Sequence, residues 1–131
     1  MNVVLDTNVL VSAMLSPWRK AYSIILQAVV FGDYQMVFDS RIMDEYENVL
    51  RYEKFKFDEN DIEAILSLIK EYGIHIVARP LRSISFNDES DRKFFEVAKA
   101  SGAVLVTGNL KHFPSDPEII SVSDFYGRFL D

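Results

Sequence analysis

Short apolar runs that stop on polar residues alternate along this chain with longer stretches in which apolar residues recur every three or four positions. No other feature limits the architecture as much. Apolar, β-branched runs separated by helical patterns build parallel β-α-β units, and a parallel sheet must be covered on both faces. The clearest strand is Ala103-Val104-Leu105-Val106-Thr107, bounded by Gly102 and Gly108. Asn2-Val3-Val4-Leu5 ends abruptly on Asp6-Thr7-Asn8, and Gln35-Met36-Val37-Phe38 ends on Asp39-Ser40. Ile74-His75-Ile76-Val77, bounded by Pro80, and Ile119-Ile120-Ser121-Val122 complete the set.

The intervening segments carry helical stripes. A short helix is predicted over 9–15, ending at Ser16-Pro17 because proline cannot donate within a helix interior. The next, over 21–31, places Tyr22, Ile25, Leu26, Val29 and Val30 on one face, with Gly32 as its C-cap. Ile42, Met43, Tyr46, Val49 and Leu50 define a helix over 41–51 that Asp39 or Ser40 can cap. Another runs from 58 or 60 to 72 and stops at Gly73. The polar segment 87–91 opens a helix to about 101 that buries Phe94, Phe95, Val97 and Ala98, and a last turn or two covers 124–130. The expected fold class is α/β: one domain over 1–131, a three-layer α/β/α sandwich around a central parallel sheet of about five strands with right-handed crossovers.

Composition narrows the function classes. The chain has no cysteine and so can build neither a disulfide nor a thiolate metal site. No stretch approaches the roughly 18 apolar residues of a membrane helix, and no basic, apolar leader opens the sequence, so a cytoplasmic protein without membrane contact is expected. A formal net charge of −6 opposes long-range steering toward nucleic acid, unless several acids gather in one site and are neutralised by cations.

Such a gathering is expected. Asp6, Asp39 and Asn109 each follow a predicted strand, and Asp88 and Asp91 stand at a helix start. In a parallel sheet, strand carboxyl ends and helix amino ends share one edge, where the functional crevice lies. The plainer account is that Asp6 caps the following helix, and that Asp88 with Asp91 forms a capping arrangement favoured by the helix dipole. Two carboxylates about 4 Å apart repel by roughly 4 kcal/mol at an effective dielectric of 20, so a cluster of them calls for a cation. Oxygen donors without cysteine favour a hard ion, Mg²⁺ or Mn²⁺, whose best-suited chemistry is displacement at phosphorus. On the helix after the second strand, Glu45 and Glu47 flank the apolar stripe on opposite sides, and periodicity does not choose between them. His75, between isoleucines in a strand, is read as structural; His112 is open between a phosphate contact and loop packing.

Taken together, Val4-Leu5-Asp6-Thr7-Asn8-Val9, Ser40 with Glu45-Tyr46-Glu47-Asn48-Val49-Leu50, Asp88-Glu89-Ser90-Asp91, and Val106-Thr107-Gly108-Asn109-Leu110-Lys111-His112-Phe113-Pro114 resemble the PIN-domain family. The likeness covers almost the whole chain in order and is greatest to the toxin components of bacterial or archaeal toxin–antitoxin systems. It implies an endoribonuclease in which Asp6, Glu45 rather than Glu47, Asp91 and a helping Asp88 bind Mg²⁺ or Mn²⁺, and a cation-activated water cleaves an RNA phosphodiester. Asn8 would orient Asp6, while Ser40 or Thr107 would hydrogen-bond a carboxylate or a cation-held water. Asn109 departs from the fourth aspartate of many relatives and favours a single cation. RNA-contact candidates are Arg19, Lys20, Arg92, Lys93 and Lys111. The resemblance further implies a homodimer held inactive by a cognate antitoxin. Two rivals are a PIN-like module that binds RNA or protein without cleaving, and a phosphoryl-accepting domain with Asp6 as nucleophile. Against the latter, Asn8 stands where one such family needs a second aspartate, and the acidic pair of the other is missing.

Overall fold

The computed structural model describes residues 1–130. Among them the chain forms β1 (Asn2–Leu5), α1 (Thr7–Leu15), α2 (Lys20–Val29), β2 (Gln35–Phe38), α3 (Ser40–Leu50), α4 (Glu59–Tyr72), β3 (Ile74–His75), α5 (Arg92–Ser101), β4 (Val104–Thr107), β5 (Ile119–Ser121) and α6 (Val122–Phe129). Single 3₁₀ turns lie at Glu53–Phe55, Glu89–Asp91 and Leu110–His112. The strands form one sheet in the order β3-β2-β1-β4-β5, and every pairing is parallel. The fold is a three-layer α/β/α sandwich. Among the described residues, no helix is long and apolar enough to cross a membrane.

The strand order fixes where a site can form. From β1 the chain winds outward through β2 to β3, then crosses back over the sheet to β4 on the other side of β1. With right-handed connections this reversal puts α5 on the face opposite α1 and α2. Consistently, α5 packs on β1, β2 and β4, whereas α2 packs on α1, α4 and α6. The topological switch point therefore lies between β1 and β4, and the crevice beyond their carboxyl ends is where an open α/β sheet binds ligands. Val3, Val4, Leu5, Leu105 and Val106 are fully buried there, which explains why these strands read as continuous apolar runs.

Several boundaries differ from the sequence expectation. The third strand ends at His75 instead of 77. It is an edge strand with one neighbour: Ile76 still donates a 2.9 Å bond to the Phe38 carbonyl, but Val77 is 91% exposed. α2 ends at Val29 with Val30 at its C-cap, so Gly32, at φ +68°, shapes the following turn instead of capping the helix. The chain enters α6 already at Val122, because the Ser121 hydroxyl accepts the Asp124 amide at 3.0 Å. Gly73 does stop α4, though its φ of −85° is open to any residue. The need for glycine is one of space: a Cβ at this position would stand 2.5 Å from the Ile69 carbonyl oxygen and 2.9 Å from Phe38 Cε1.

Candidate active site

Asp6 leaves β1 in extended conformation at the N-cap position of α1, yet its side chain makes no capping bond. The carboxylate is 6% exposed, and the Thr107 hydroxyl at the end of β4 donates to its Oδ2 at 2.7 Å. The same hydroxyl accepts the Asn109 amide at 2.9 Å, so the turn after β4 locks the donor in place. Burial pushes the Asp6 carboxyl up to about 6, with the charges of Asp91 and Glu45 adding to the rise and the Thr107 hydroxyl and Thr7 backbone opposing it.

Glu45 reaches this corner because of its neighbour. Tyr46 is fully buried, and its hydroxyl donates a 2.5 Å bond to the carbonyl of Leu5, the residue before Asp6. That bond and the buried Ile42, Met43 and Leu50 set the rotation of α3, which turns Glu45 toward the start of α1. There the Thr7 hydroxyl donates to Glu45 Oε2, and Lys93 Nζ lies 2.7 Å from Oε1. Glu47 faces elsewhere, paired with Lys70 at 2.7 Å on α4.

Asp91 lies at the N-cap of α5 without a side-chain capping bond. Partial burial raises its carboxyl, with the charges of Asp88 and Glu45 in the same direction and those of His112 and Lys93 opposing. Its Oδ2 stands 3.4 Å from His112 Nδ1. Asp88 differs in kind. It is exposed and caps the 3₁₀ turn, accepting the Ser90 hydroxyl at 2.7 Å and the Ser90 amide at 2.9 Å, and these bonds lower its carboxyl below the ordinary range. The capping account of the sequence thus fits Asp88, while for Asp6 and Asp91 no side-chain cap forms.

Other expected residues are placed differently. The Asn8 Oδ1 accepts the Gly108 amide at 3.1 Å, tying α1 to the turn after β4, and among the described residues Asn8 makes no side-chain hydrogen bond to Asp6. The Ser40 hydroxyl is engaged elsewhere, sharing a 3.1 Å bond with His75 Nε2. The Asn109 side chain is exposed beside Thr107. Asp39 is the N-cap of α3, accepting the Ile42 amide at 2.9 Å, and is held by Arg41 at 2.7 Å. Arg41 also grips Glu96, a 2% exposed acid that accepts the Leu81 amide at 2.6 Å. Sequence reading passed over this buried pair; the only signal is that Glu96 falls among the apolar residues Phe95, Val97 and Ala98.

The cationic candidates divide in three. Arg92 is committed to the fold, pairing with Glu89 at 2.7 Å and lying over the Phe86 ring. Lys93 is inside the acidic cluster. Arg19 and Lys20 lie beyond the far end of α1 from Asp6, beside the exposed Trp18, and Lys111 is exposed near His112. An open groove of about 740 Å³ adjoins Glu45, lined by Arg41, Asn48, Tyr52, Ser90, Arg92 and Lys93 among others.

A family model for the PIN domain matches residues 2–111. The chain belongs to the PIN-domain family. The matched span takes in Asp6, Glu45, Asp88, Asp91, Thr107 and Asn109 and stops within the last 3₁₀ turn, before β5 and α6. No curated protein matches the chain. PIN-domain membership brings nuclease-type, hydrolytic function, and PIN nucleases typically employ divalent cations. The donors fit such an ion in chemistry: carboxylate oxygens, hard and close enough that Asp91 and Glu45 each raise Asp6. They are not in a closed coordination cluster, since among the described residues no three acidic or histidine side chains are so arranged. Glu45 is turned onto Lys93 and Thr7.

Proposed function

We propose that this PIN-domain chain is a metal-dependent endoribonuclease acting on RNA phosphodiesters in the cytoplasm, as the toxin of a toxin–antitoxin pair. One observation carries the reading: three carboxylates converge beyond the switch point between β1 and β4, Asp6 at the end of β1, Glu45 on α3 and Asp91 at the start of α5, and burial first, then the charges of the other two, push the Asp6 carboxyl up to about 6. Carboxylates gathered in this way repel one another, and a bound cation relieves the repulsion. Asp6, Glu45 and Asp91 are the residues that would hold Mg²⁺ or Mn²⁺, and Asp88 stands at the rim to hold solvent or the outer face of the ion. When bound, the divalent ion supplies activation of water and neutralisation of charge on the phosphate.

The chain's own residues do the rest. Thr107 keeps Asp6 oriented by engaging its Oδ2. Tyr46 and Thr7 hold Glu45 over the same corner. The groove beside Glu45 has Lys93 among a mixed lining that includes Asp44 and Glu89, and Tyr52, 50% exposed, offers its ring to a base. Asn109 adds no charge where a fourth acid would, which supports a single ion. A homodimer and an antitoxin covering the acidic pocket belong to the same proposal.

The test is RNA cleavage by purified protein with and without Mn²⁺. Asp6→Asn and Glu45→Gln are each expected to lower the rate at least a hundredfold, and an unchanged rate in Asp6→Asn refutes the assignment. A second reading, a module that binds RNA without cutting it, is favoured by the pairing of Glu45 with Lys93; calorimetry that finds no Mn²⁺ binding at millimolar concentration would select it. A gene for a small DNA-binding protein beside this one is the expected mark of the toxin role.

A further inference from the structure

Lys93 is out of place by every ordinary rule except one. It lies in the first turn of α5, where the helix dipole disfavours a cation. Its side chain is only 13% exposed, although a lysine ammonium is strongly hydrated and is seldom buried without a partner. The partner is Glu45, whose Oε1 lies 2.7 Å from Nζ, and Lys93 also donates to the Ser90 carbonyl. The ammonium lies over the Phe94 ring, 5.1 Å from its centroid, and its charge reaches Asp88 and Asp91 as well. The ammonium thus pairs with Glu45 and bears on two further carboxylates at the place where a hard ion is expected.

We propose that Lys93 is a tethered counter-cation that occupies the cation position at Glu45 in the ion-free protein and must swing out when a divalent ion loads. The site rests self-blocked. The long, flexible lysine stem permits this: rotation about its methylenes carries the ammonium into the adjoining groove without moving α5, and there it faces the RNA phosphates instead of a carboxylate. The open arrangement of the acids follows directly, because Glu45 cannot close on an ion while it holds Nζ. The proposal rests on Asp6, Glu45 and Asp91 being the ion's ligands.

The experiment follows the lysine ammonium itself. In ¹⁵N-labelled protein the side-chain ammonium resonance of Lys93, identified by its loss in Lys93→Arg, should be visible and protected without metal, and should move to the position of a solvent-exposed lysine on saturation with Mg²⁺. A resonance that stays put in the loaded protein overturns the proposal. In parallel, calorimetry with Mn²⁺ is expected to give binding about tenfold tighter in Lys93→Met than in the wild type, the equivalent of one charged hydrogen bond no longer competing, with Lys93→Arg close to wild type. Equal or weaker binding in Lys93→Met, with wild-type binding abolished by Asp6→Asn, refutes the counter-cation while leaving the ion site standing. Absence of binding in both wild type and Lys93→Met removes the ion site and the proposal with it. Should Lys93→Met fail to fold, the wild-type resonance decides.

Discussion

Thr107 and Asp6, more than a hundred residues apart in the chain, meet at the ends of adjacent parallel strands through a 2.7 Å hydrogen bond from hydroxyl to carboxylate. Replacing the hydroxyl by a slightly larger methyl in Thr107→Val leaves a buried carboxylate without its donor and the Asn109 amide without its acceptor. The expected cost is about 1–3 kcal/mol of stability, read by urea unfolding, with Thr107→Ser recovering most of it. A Thr107→Val protein as stable as wild type would show that the bond does not orient Asp6.

Burial and neighbouring acids hold the Asp6 carboxyl near 6, above the ordinary 3.8 of the unfolded chain. Between those values the folded protein keeps a proton that the unfolded chain has released, so in EDTA this residue makes stability fall as pH rises from about 4 to about 6, by ~2–3 kcal/mol, and then level off. Below both values there is no contribution. Asp6→Asn carries no such penalty, so its unfolding free energy minus that of wild type should grow across this window and stay positive at pH 7. Metal-free melts of both proteins from pH 4 to 7 check it; a flat difference contradicts the raised carboxyl.

Among the described residues, Arg41 alone is a cation within bonding distance of both Asp39 and Glu96, whose side chains are 6% and 1% exposed. Arg41→Met strands two buried acids and should cost about 3 kcal/mol, toward the low end for a broken buried pair because the guanidinium is itself half in solvent. Glu96→Gln in the same background should return part of the loss by removing one of the stranded charges. Paired chemical unfolding curves measure both.

Gly73→Ala isolates close approach from backbone freedom, since φ −85° suits alanine. The added Cβ must displace the Ile69 carbonyl or the Met36 carbonyl of β2, which lie 2.5 and 3.0 Å from it. A loss above about 2 kcal/mol is expected, together with loosening of the β2–β3 pairing seen as faster amide exchange at Ile76. Alanine tolerated without loss would mean that α4 can retreat from the sheet.

The layer order was readable because Val3 to Leu5 and Val104 to Val106 are buried on both faces and thus carry an uninterrupted apolar signal. β3 was overestimated because Ile76 and Val77 continue the β-branched run after the sheet has let go of it; sequence records residue preference, not the presence of a neighbour. The acids at strand and helix ends could be gathered from topology alone. Their partners could not: Asn8 answers to Gly108, Ser40 to His75, and Glu96 to an arginine fifty-five positions away, and each choice depends on side-chain reach in three dimensions. Lys93 was legible as a cation near the site, but its position on Glu45 follows from the rotation of α3 that Tyr46 imposes.

The corner where Asp6 and Thr107 meet adjoins the buried β1–β4 ladder, the kind of core pairing whose amides open with the whole molecule. The opposite wall, from Asp88 to Ser90, hangs on one exposed 3₁₀ turn held by short-range bonds and can fray by itself. One side of the site is therefore expected to keep the lifetime of the native state and the other to open on a shorter one. Amide exchange is expected to follow this division, slow at Val106 and fast at Ser90.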